Sequence, residues 1–372
     1  MISTRIQSTA SESMILSIIL SFILFVCAFP AFSLSQNTQT NQTHQNRSFV
    51  ILQYHHVSED TPRVTSIAPA ELEEHMSYLA ENNTVISLQK ALDLLKKGEV
   101  IPNKAVVITF DDGYKNILEN GHPILKKYGF PYTIFINPSQ IGTGSQLSWE
   151  DLETMKSEGV TFANHTLDHL HLLDRYANES DEQWLARIKR NIEMAEQLLT
   201  EKLGYSLKWL AYPFGEFDTK VKALLKDMGY IGFGQQSGAV GPYSDLQALP
   251  RYPAAGRYAN LETLKTKINS LAMPVTDVRP QRYVMLIEEQ LGTVEIDVKL
   301  DDILLARVAC YFRGETLPIK ETKTGFSINV KAKFYPGRTR INCTAPSLRD
   351  PSRFYWYSLP YFTAQDNGTY LD

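Results

Sequence analysis

The chain has 372 residues, 43% of them hydrophobic and 21% charged, which is enough for one large domain and a smaller one. A formal net charge of -4, with no basic cluster interleaved with aromatic residues, argues against nucleic acid as a partner.

The first 35 residues predict an export segment. Residues 14–32 form an apolar run without charge, preceded by a polar stretch that contains Arg5. Such a run is typical of a secretory signal peptide or, alternatively, of an uncleaved membrane anchor. Residues 36–47 are polar and of low complexity, which predicts a flexible linker. In both cases we expect the remainder to be exported, as a periplasmic, cell-envelope or secreted protein.

Residues 48–275 alternate strand-like and helical patterns. The strand candidates are FVILQYH, AVVITF, YTIFIN, VTFANH, KWLAYP and GYIGFG. The helical candidates are PAELEEHMSYLAEN, NILENGHPILKKYG, SWEDLETMKSEG, DEQWLARIKRNIEMAEQLLTEKLG and DTKVKALLKDMG. Continuous apolar strands that alternate with helices predict an α/β fold with a parallel sheet, open or closed into a barrel. Polar residues follow several of these strands, at the position where barrel active sites are built.

Residues 279–372 predict a separate all-β module. Six runs there alternate apolar and polar residues: RYVMLIEEQ, GTVEIDVKL, ARVACYFRG, GFSINVKAKFY, TRINCTAP and FYWYSLPYF. This pattern favours a small β-sandwich. Cys310 and Cys343 lie in two of these runs and, in an oxidising compartment, would form one disulfide; two reduced buried thiols are the alternative.

The segment HTLDH suggests a metal site. His165 and His169 are four residues apart, so on a helical turn both imidazoles would point the same way and bind one ion. Two histidines and a carboxylate suit a divalent ion such as Zn, Co, Ni or Mn. By itself the spacing also occurs by chance on surface helices.

The segment TFDDGY supplies the carboxylate. Asp111 and Asp112 are adjacent at the end of a strand, where their mutual repulsion favours a nearby cation. One of the two would bind the metal while the other acts as general base. The alternative is an ordinary acidic turn, because Asp-Gly is common turn chemistry.

Two further strand ends carry candidate catalytic groups. In YPFG, Pro213 and Gly215 fix a tight backbone path that would aim an N–H at a developing oxyanion, or serve only as a connection. In YHHV, His55 and His56 are candidates for the acid that protonates a leaving amine, or for structural histidines.

Together, TFDDGY, HTLDH, YPFG and YHHV resemble the polysaccharide deacetylases of carbohydrate esterase family four, over about residues 48–275. The resemblance implies a distorted (β/α) barrel that removes acetyl groups from N-acetylated sugars with a metal held by one Asp and two His. It is nearest to the biofilm poly-N-acetylglucosamine deacetylases, in which a YH near the N-terminus supplies the acid.

The resemblance implies a role for each matching residue. Asp111 corresponds to the general base, and Asp112, His165 and His169 correspond to the metal ligands. Thr166 is the small hydroxyl residue within the histidine motif, and the backbone N–H of Phe214 would hold the oxyanion together with the metal. His55 fits the acid, with His56 in reserve. Tyr114, Pro213 and Gly215 are expected to contact substrate. The expected cofactor is one divalent ion, with zinc favoured over cobalt or nickel.

Two departures from the family pattern affect these assignments. The third motif usually begins with an Arg that orients the base, whereas this chain has Ala211, and we expect Arg251 in LPRYP to replace it. The Trp-containing fourth motif is absent, and GFGQQSGAV stands in its place without an assigned role.

The sequence therefore predicts an exported metal-dependent deacetylase acting on an N-acetylhexosamine polymer such as poly-N-acetylglucosamine, a chitin-like glycan or peptidoglycan. Its N-terminus or its β module would associate with membrane, cell wall or glycan. One alternative is a glycan-binding protein on a deacetylase scaffold that has no activity. Another is the same barrel acting on acetyl esters of xylan or on a non-sugar amide.

Overall fold

The computed structural model describes residues 47–371, which belong to one compact unit. The predicted signal or anchor and nearly all of the predicted linker lie outside the described residues. Within the described part of the chain, no helix is both long enough and apolar enough to cross a membrane.

The first part of the chain forms a mainly parallel, nine-stranded sheet. Its strands and those of a small β2–β3 pair are β1 Phe49–Tyr54, β2 His56–Val57, β3 Ser66–Ile67, β4 Thr84–Val85, β5 Ala105–Asp112, β6 Tyr132–Ile136, β7 Thr161–Asn164, β8 Trp209–Ala211, β9 Ile231–Phe233, β10 Ala239–Val240 and β11 Tyr252–Pro253. The order is β10-β1-β5-β6-β7-β8-β9, with β11 also on β1 and β4 also on β5. All pairs are parallel except β1 with β10.

Helices connect these strands. They are α1 Pro69–Asn82, α2 Leu88–Lys97, α3 His122–Lys127, α4 Trp149–Ser157, α5 Asp181–Leu203, α6 Thr219–Asp227 and α7 Leu261–Ile268. The single helix expected at NILENGHPILKKYG is instead a π-helical turn, Ile117–Gly121, followed by α3. Pro123 lies in the first turn of α3, directly after the π-helical turn.

An irregular segment closes the sheet into a distorted barrel. Leu249 exchanges backbone hydrogen bonds with Gly232 and Gly234 beside β9, and β11 pairs with β1. Residues 249–253 therefore lie between the two edges of the sheet. The α/β barrel expected from the sequence is confirmed, with this segment completing its wall.

Alternation along the strands determines which side chains enter the barrel. Phe49 and Ile51 of β1 pack in one core with Val107 and Phe135, whereas Leu52 lies in the core beneath the helices. By this alternation Gln53, His55, Thr109 and Asp111 also face inward. The inward faces of β1 and β5 are thus apolar at the start of the strand and polar at its end.

The last hundred residues form two antiparallel-rich sheets, as expected for a β module. Their strands are β12 Ser270–Ala272, β13 Val275–Arg279, β14 Val284–Met285, β15 Gln290–Val298, β16 Ala309–Phe312, β17 Glu315–Leu317, β18 Ile319–Glu321, β19 Gly325–Lys333, β20 Gly337–Pro346 and β21 Phe354–Thr363. Both sheets contribute to one apolar core. The run RYVMLIEEQ contains the two-residue β14 and only the first residue of β15, because the chain turns at Leu286–Glu289. Arg282 forms a bidentate pair with Glu289 there.

Cys310 and Cys343 are joined by a disulfide. They face each other across the antiparallel pair β16–β20, and both are fully buried in the core of the module. The bond therefore joins neighbouring strands inside one sheet.

The β module packs on the barrel near its closing segment. Trp356 of β21 packs against the core that lies beneath the helices of the barrel, with its ring edge-on to Tyr252 at a centroid distance of 5.5 Å. A cavity of about 190 Å³ remains between the two parts, lined by Lys222, Tyr283 and Trp356 among others. The candidate catalytic residues do not line this cavity.

Candidate active site

The candidate catalytic residues meet at the C-terminal end of the parallel strands. Asp111 and Asp112 end β5, His165 follows β7, Phe214 follows β8, and Arg251 lies in the closing segment. In register, Asp112 pairs with Ile136, and Ile136 pairs with Asn164. His165 therefore lies one residue further along its strand direction than the position in register with Asp112.

Asp112, His165 and His169 form a compact cluster. Their ligand atoms lie within 4.8 Å of one another. The Oδ1 atom of Asp112 is 3.2 Å from Nε2 of His165 and 3.3 Å from Nε2 of His169. Donors bound to one ion at about 2.0–2.2 Å are expected to be about 3.0–3.5 Å apart, so both separations fit shared coordination.

Two buried atoms in this cluster have no hydrogen-bond partner among residues 47–371. They are Oδ1 of Asp112 and Nε2 of His165, which face each other without hydrogen-bond alignment. Unpaired buried polar atoms are costly, and a shared cation would satisfy both. The donor set therefore fits a divalent metal ion.

His165 is oriented by its other ring nitrogen. Nδ1–H donates to the carbonyl of Ala211 at 2.8 Å, which directs Nε2 toward Asp112. The backbone N–H of His165 donates to the carbonyl of Ile136 at 3.0 Å. A metal-binding imidazole is usually oriented by a hydrogen bond from its second ring nitrogen, as Nδ1 of His165 is here.

The histidine motif is not helical, so the expected helical turn is wrong. Residues 165–171 lie in the connection after β7, where Thr166 and His169 have positive φ values of 68° and 60°. The N–H of Thr166 donates to Oδ1 of Asn164, and the N–H of His169 donates to Oγ1 of Thr166. These bonds curl the loop and bring the two imidazoles together without the i, i+4 geometry.

Asp112 depends on a similar local reversal. Alternation along β5 directs Asp111 inward and its neighbour outward, but Asp112 has a φ of 73° and turns toward the histidines. Gly113 follows with a φ of 77°, and a Cβ at this position would lie 2.9 Å from Cγ2 of Ile136. The backbone conformation of the Asp-Gly pair thus directs the Asp112 carboxylate toward the two histidines.

Asp111 is fully buried and held by three hydrogen bonds. Arg251, also fully buried, donates from its two terminal nitrogens to the two carboxylate oxygens, each at 2.7 Å. Gln53 donates to Oδ2 at 2.6 Å. Such a bidentate pair fixes the carboxylate plane as well as its charge.

Burial and charge oppose each other at both aspartates. Burial raises the pKa of Asp111, but Arg251, His165 and His55 together outweigh it and leave the pKa lowered. Burial likewise raises the pKa of Asp112, and interaction with His165 and His169 reverses the effect, leaving it well below the usual range. Both carboxylates are therefore ionised at neutral pH.

His55 lies beside the candidate base. Its Nε2 is 3.9 Å from Oδ2 of Asp111, and its side chain is 17% exposed. Burial lowers the pKa of His55 in spite of the two nearby aspartates. His56 points elsewhere: its Nδ1 contacts the Asn116 side chain at 3.0 Å, and its ring stacks on Tyr114 at a centroid distance of 3.5 Å.

The YPFG segment forms a tight 3₁₀ turn, Pro213–Gly215. Phe214 has a φ of 55° and a ψ of 5°, an uncommon conformation for an aromatic residue. Its ring stacks on His171 at 3.8 Å and meets the ring of His169 edge-on at 4.5 Å. Phe214 therefore borders the cluster of Asp112, His165 and His169.

Comparison with known proteins agrees with this geometry. Residues 98–232 match the family model described as polysaccharide deacetylase. A poly-β-1,6-N-acetyl-D-glucosamine N-deacetylase of Staphylococcus aureus strain MRSA252 is 30% identical over 194 residues, which cover 50% of this chain and 67% of the relative. The chain belongs to the polysaccharide deacetylase family. The prediction of an enzyme of this family, a hydrolase, is thereby confirmed.

Solved structures of deacetylases share the fold. IcaB from Ammonifex degensii aligns with a TM-score of 0.53 and 23% identity, covering 60% of this chain and 99% of the other. The deacetylase PplD of Streptococcus pyogenes aligns with a TM-score of 0.53 and 21% identity, covering 59% and 98%. The aligned share of this chain corresponds in size to its barrel.

Two deacetylase-site residues were not expected from the sequence. Gln53 donates a hydrogen bond to Asp111. It lies two residues before His55 on β1, so strand alternation alone would have placed its side chain on the same inward face as His55. Glu216 accepts a hydrogen bond from Nδ1 of His171 at 3.0 Å and is fully buried. Asp168, in contrast, is exposed and bonds to Asn191.

Proposed function

We propose that this protein is an exported, metal-dependent deacetylase that hydrolyses the acetyl amide of N-acetylhexosamine units in a polysaccharide. Poly-β-1,6-N-acetylglucosamine is the first substrate to test, because the relative that supports the family assignment is named for it. The apolar N-terminal run supports export and association with the cell envelope.

The observation that carries the proposal is the adjacency of two different aspartate environments. Asp112 is grouped with His165 and His169, whereas Asp111 is grouped with Arg251 and Gln53. One carboxylate is thus available as a metal ligand, and its neighbour stays ionised as a base. A divalent ion held by the first group would supply Lewis acidity toward the acetyl carbonyl and water.

The remaining chemistry falls to side chains and backbone of this chain. Asp111 would accept the proton of the attacking water while the new C–O bond forms. His55 would protonate the amine nitrogen as the C–N bond breaks. The N–H of Phe214 would donate to the developing oxyanion, with Pro213 and Gly215 shaping its loop. Tyr114, stacked on His56, would contact the sugar.

The test is acetate release by the purified protein from poly-N-acetylglucosamine, chitin oligomers, peptidoglycan and acetylxylan, with and without chelator. We expect release from a polymer of N-acetylated sugars that chelator abolishes and Zn, Co or Ni restores. Binding of chito-oligosaccharide without release by metal-loaded protein would overturn the proposal, as would preference for acetylxylan.

A further inference from the structure

A residue of the β module reaches the candidate active site. Arg338, on β20, donates from one terminal nitrogen to the carbonyl oxygen of Phe214 at 2.6 Å and to Oε1 of Gln235 at 2.9 Å. Phe214 follows β8, and Gln235 follows β9, so one guanidinium connects two loops of the barrel. Gln235 belongs to the segment GFGQQSGAV, to which the sequence assigned no role.

The Phe214 loop needs external support. A bulky residue at a φ of 55° stores backbone strain, and such conformations persist only where the surroundings determine them. The aromatic ring is held on one side by stacking on His171. The N–H of Gly215 donates to the carbonyl of Tyr212 at 2.9 Å. The carbonyl of Phe214 accepts its hydrogen bond from Arg338.

We propose that Arg338 is a positioning residue that fixes the oxyanion-binding N–H of Phe214. A charge-assisted hydrogen bond to a carbonyl is stronger than a neutral one, and it restrains ψ of Phe214. The carbonyl and the N–H of Phe214 belong to the two peptide units that meet at its Cα. Restraining the unit that carries the carbonyl therefore limits rotation of the unit that carries the N–H. The inference rests on the proposed function, since it assigns a catalytic purpose to that N–H.

The β module then has a role inside the active site. Without Arg338 the loop would relax toward an unstrained conformation, and the N–H would turn away from the reacting carbonyl. Loss of an oxyanion donor costs about 10²–10³ in kcat, and a misdirected donor should cost less. Since the oxyanion forms only after substrate has bound, in the transition state and the tetrahedral intermediate, the loss should appear in kcat and leave KM unchanged.

The first test is steady-state kinetics of Arg338→Met, Arg338→Lys and Arg340→Met on the best polysaccharide substrate. Arg340 lies two residues further along β20 and donates to the hydroxyl of Tyr258 at 3.1 Å, so its variant removes a contact from the same strand away from Phe214. We expect about a tenfold loss of kcat in Arg338→Met with KM within about twofold, and recovery of most of it in Arg338→Lys. Arg340→Met should keep the wild-type kcat.

The second test does not depend on activity. Hydrogen–deuterium exchange of the peptide that contains residues 212–216 should be faster in Arg338→Met than in wild type and unchanged in Arg340→Met, with equal metal content in all three proteins. An unchanged kcat or unchanged exchange in Arg338→Met would overturn the proposal. If wild type releases no acetate, the proposed function fails, and the exchange result alone decides whether Arg338 positions the loop.

Discussion

At the scale of single residues, the site distinguishes two adjacent carboxylates by giving each its own surroundings. Asp111 is paired with a guanidinium inside the barrel, whereas Asp112 faces two imidazoles. The pKa of each carboxyl is lowered despite burial. The mutual repulsion expected of two adjacent carboxylates is therefore offset separately at each one, by the guanidinium at Asp111 and by the histidine pair at Asp112.

Asp111→Asn should remove the general base while preserving the shape of the side chain. We expect kcat for acetate release to fall at least about 100-fold, which is the lower range for a general base. Metal content should stay at the wild-type level because Asp112, His165 and His169 are untouched. A variant that retains full rate would show that Asp111 is not the base.

Arg251→Met should destabilise the fold as well as the site. The change leaves Asp111 charged and buried without its partner, and breaking such a pair typically costs about 3–5 kcal/mol in unfolding free energy. Arg63→Met is the matched control, because Arg63 also forms a bidentate pair, with Glu71, but at the surface. It should cost about 1 kcal/mol or less in denaturant unfolding. Equal losses in both variants would contradict the role assigned to burial.

At the scale of elements, the loops after the strands carry the catalytic geometry through unusual backbone conformations. Of the nine non-glycine residues with positive φ in the described part of the chain, four lie within or beside the candidate site: Asp112, Thr166, His169 and Phe214. Such conformations cluster where surrounding structure imposes them. Strand alternation accounts for the inward direction of Asp111, but it gives no means of predicting that Asp112 and the histidine loop reverse direction.

Gly215→Ala should impair catalysis more than an equally strained glycine change elsewhere. At Gly215 the φ is 71°, and a Cβ would lie 2.7 Å from Cβ of Gln235, so the Phe214 loop must shift. At Gly229 the φ is 76°, with open space around the position. Both variants should lose about 1 kcal/mol of stability from the backbone conformation.

Only Gly215→Ala should also lose kcat, by about tenfold, because a small displacement of an oxyanion donor is enough to reduce the rate. Acetate-release kinetics beside thermal unfolding measure the two effects separately. A similar fall in kcat for Gly229→Ala would show that strain alone, and not the position of the loop, limits the reaction.

Several strands and helices were predictable from the sequence, whereas others are too short to show a recognisable pattern. The six apolar runs of the barrel region became β1 and β5 to β9. Helices α2 and α7 were not expected, although Ser87 and Asn260 cap their N-termini with side-chain hydrogen bonds, which is a readable signal. Strands of two residues, such as β10 and β11, carry no periodicity and are defined only by tertiary pairing.

At the scale of the whole molecule, the closing segment and the β module complete the barrel. Arg251 was proposed from sequence as a substitute for the missing motif residue, and the segment between β9 and β1 places it at Asp111. The contribution of Arg338 was beyond sequence reasoning, because it depends on how two regions 124 residues apart pack together.

Replacing both Cys310 and Cys343 by Ala should destabilise the β module. The bond closes a segment with a sequence separation of 33 residues, and loss of such a crosslink typically costs about 2–4 kcal/mol. Denaturant unfolding of the double variant against wild type measures the loss. A reducing agent should lower the stability of wild type and have no effect on the double variant; an equal effect on both would contradict the assignment.

Metal content of the purified protein tests the central claim most directly. After loading with zinc and removal of excess ion, elemental analysis should find one ion per chain in wild type and in His171→Ala, whose ring bonds to Glu216. Asp112→Asn, His165→Ala and His169→Ala should each retain much less than one. Wild-type protein that binds no divalent ion, or three variants that bind as well as wild type, would contradict the account.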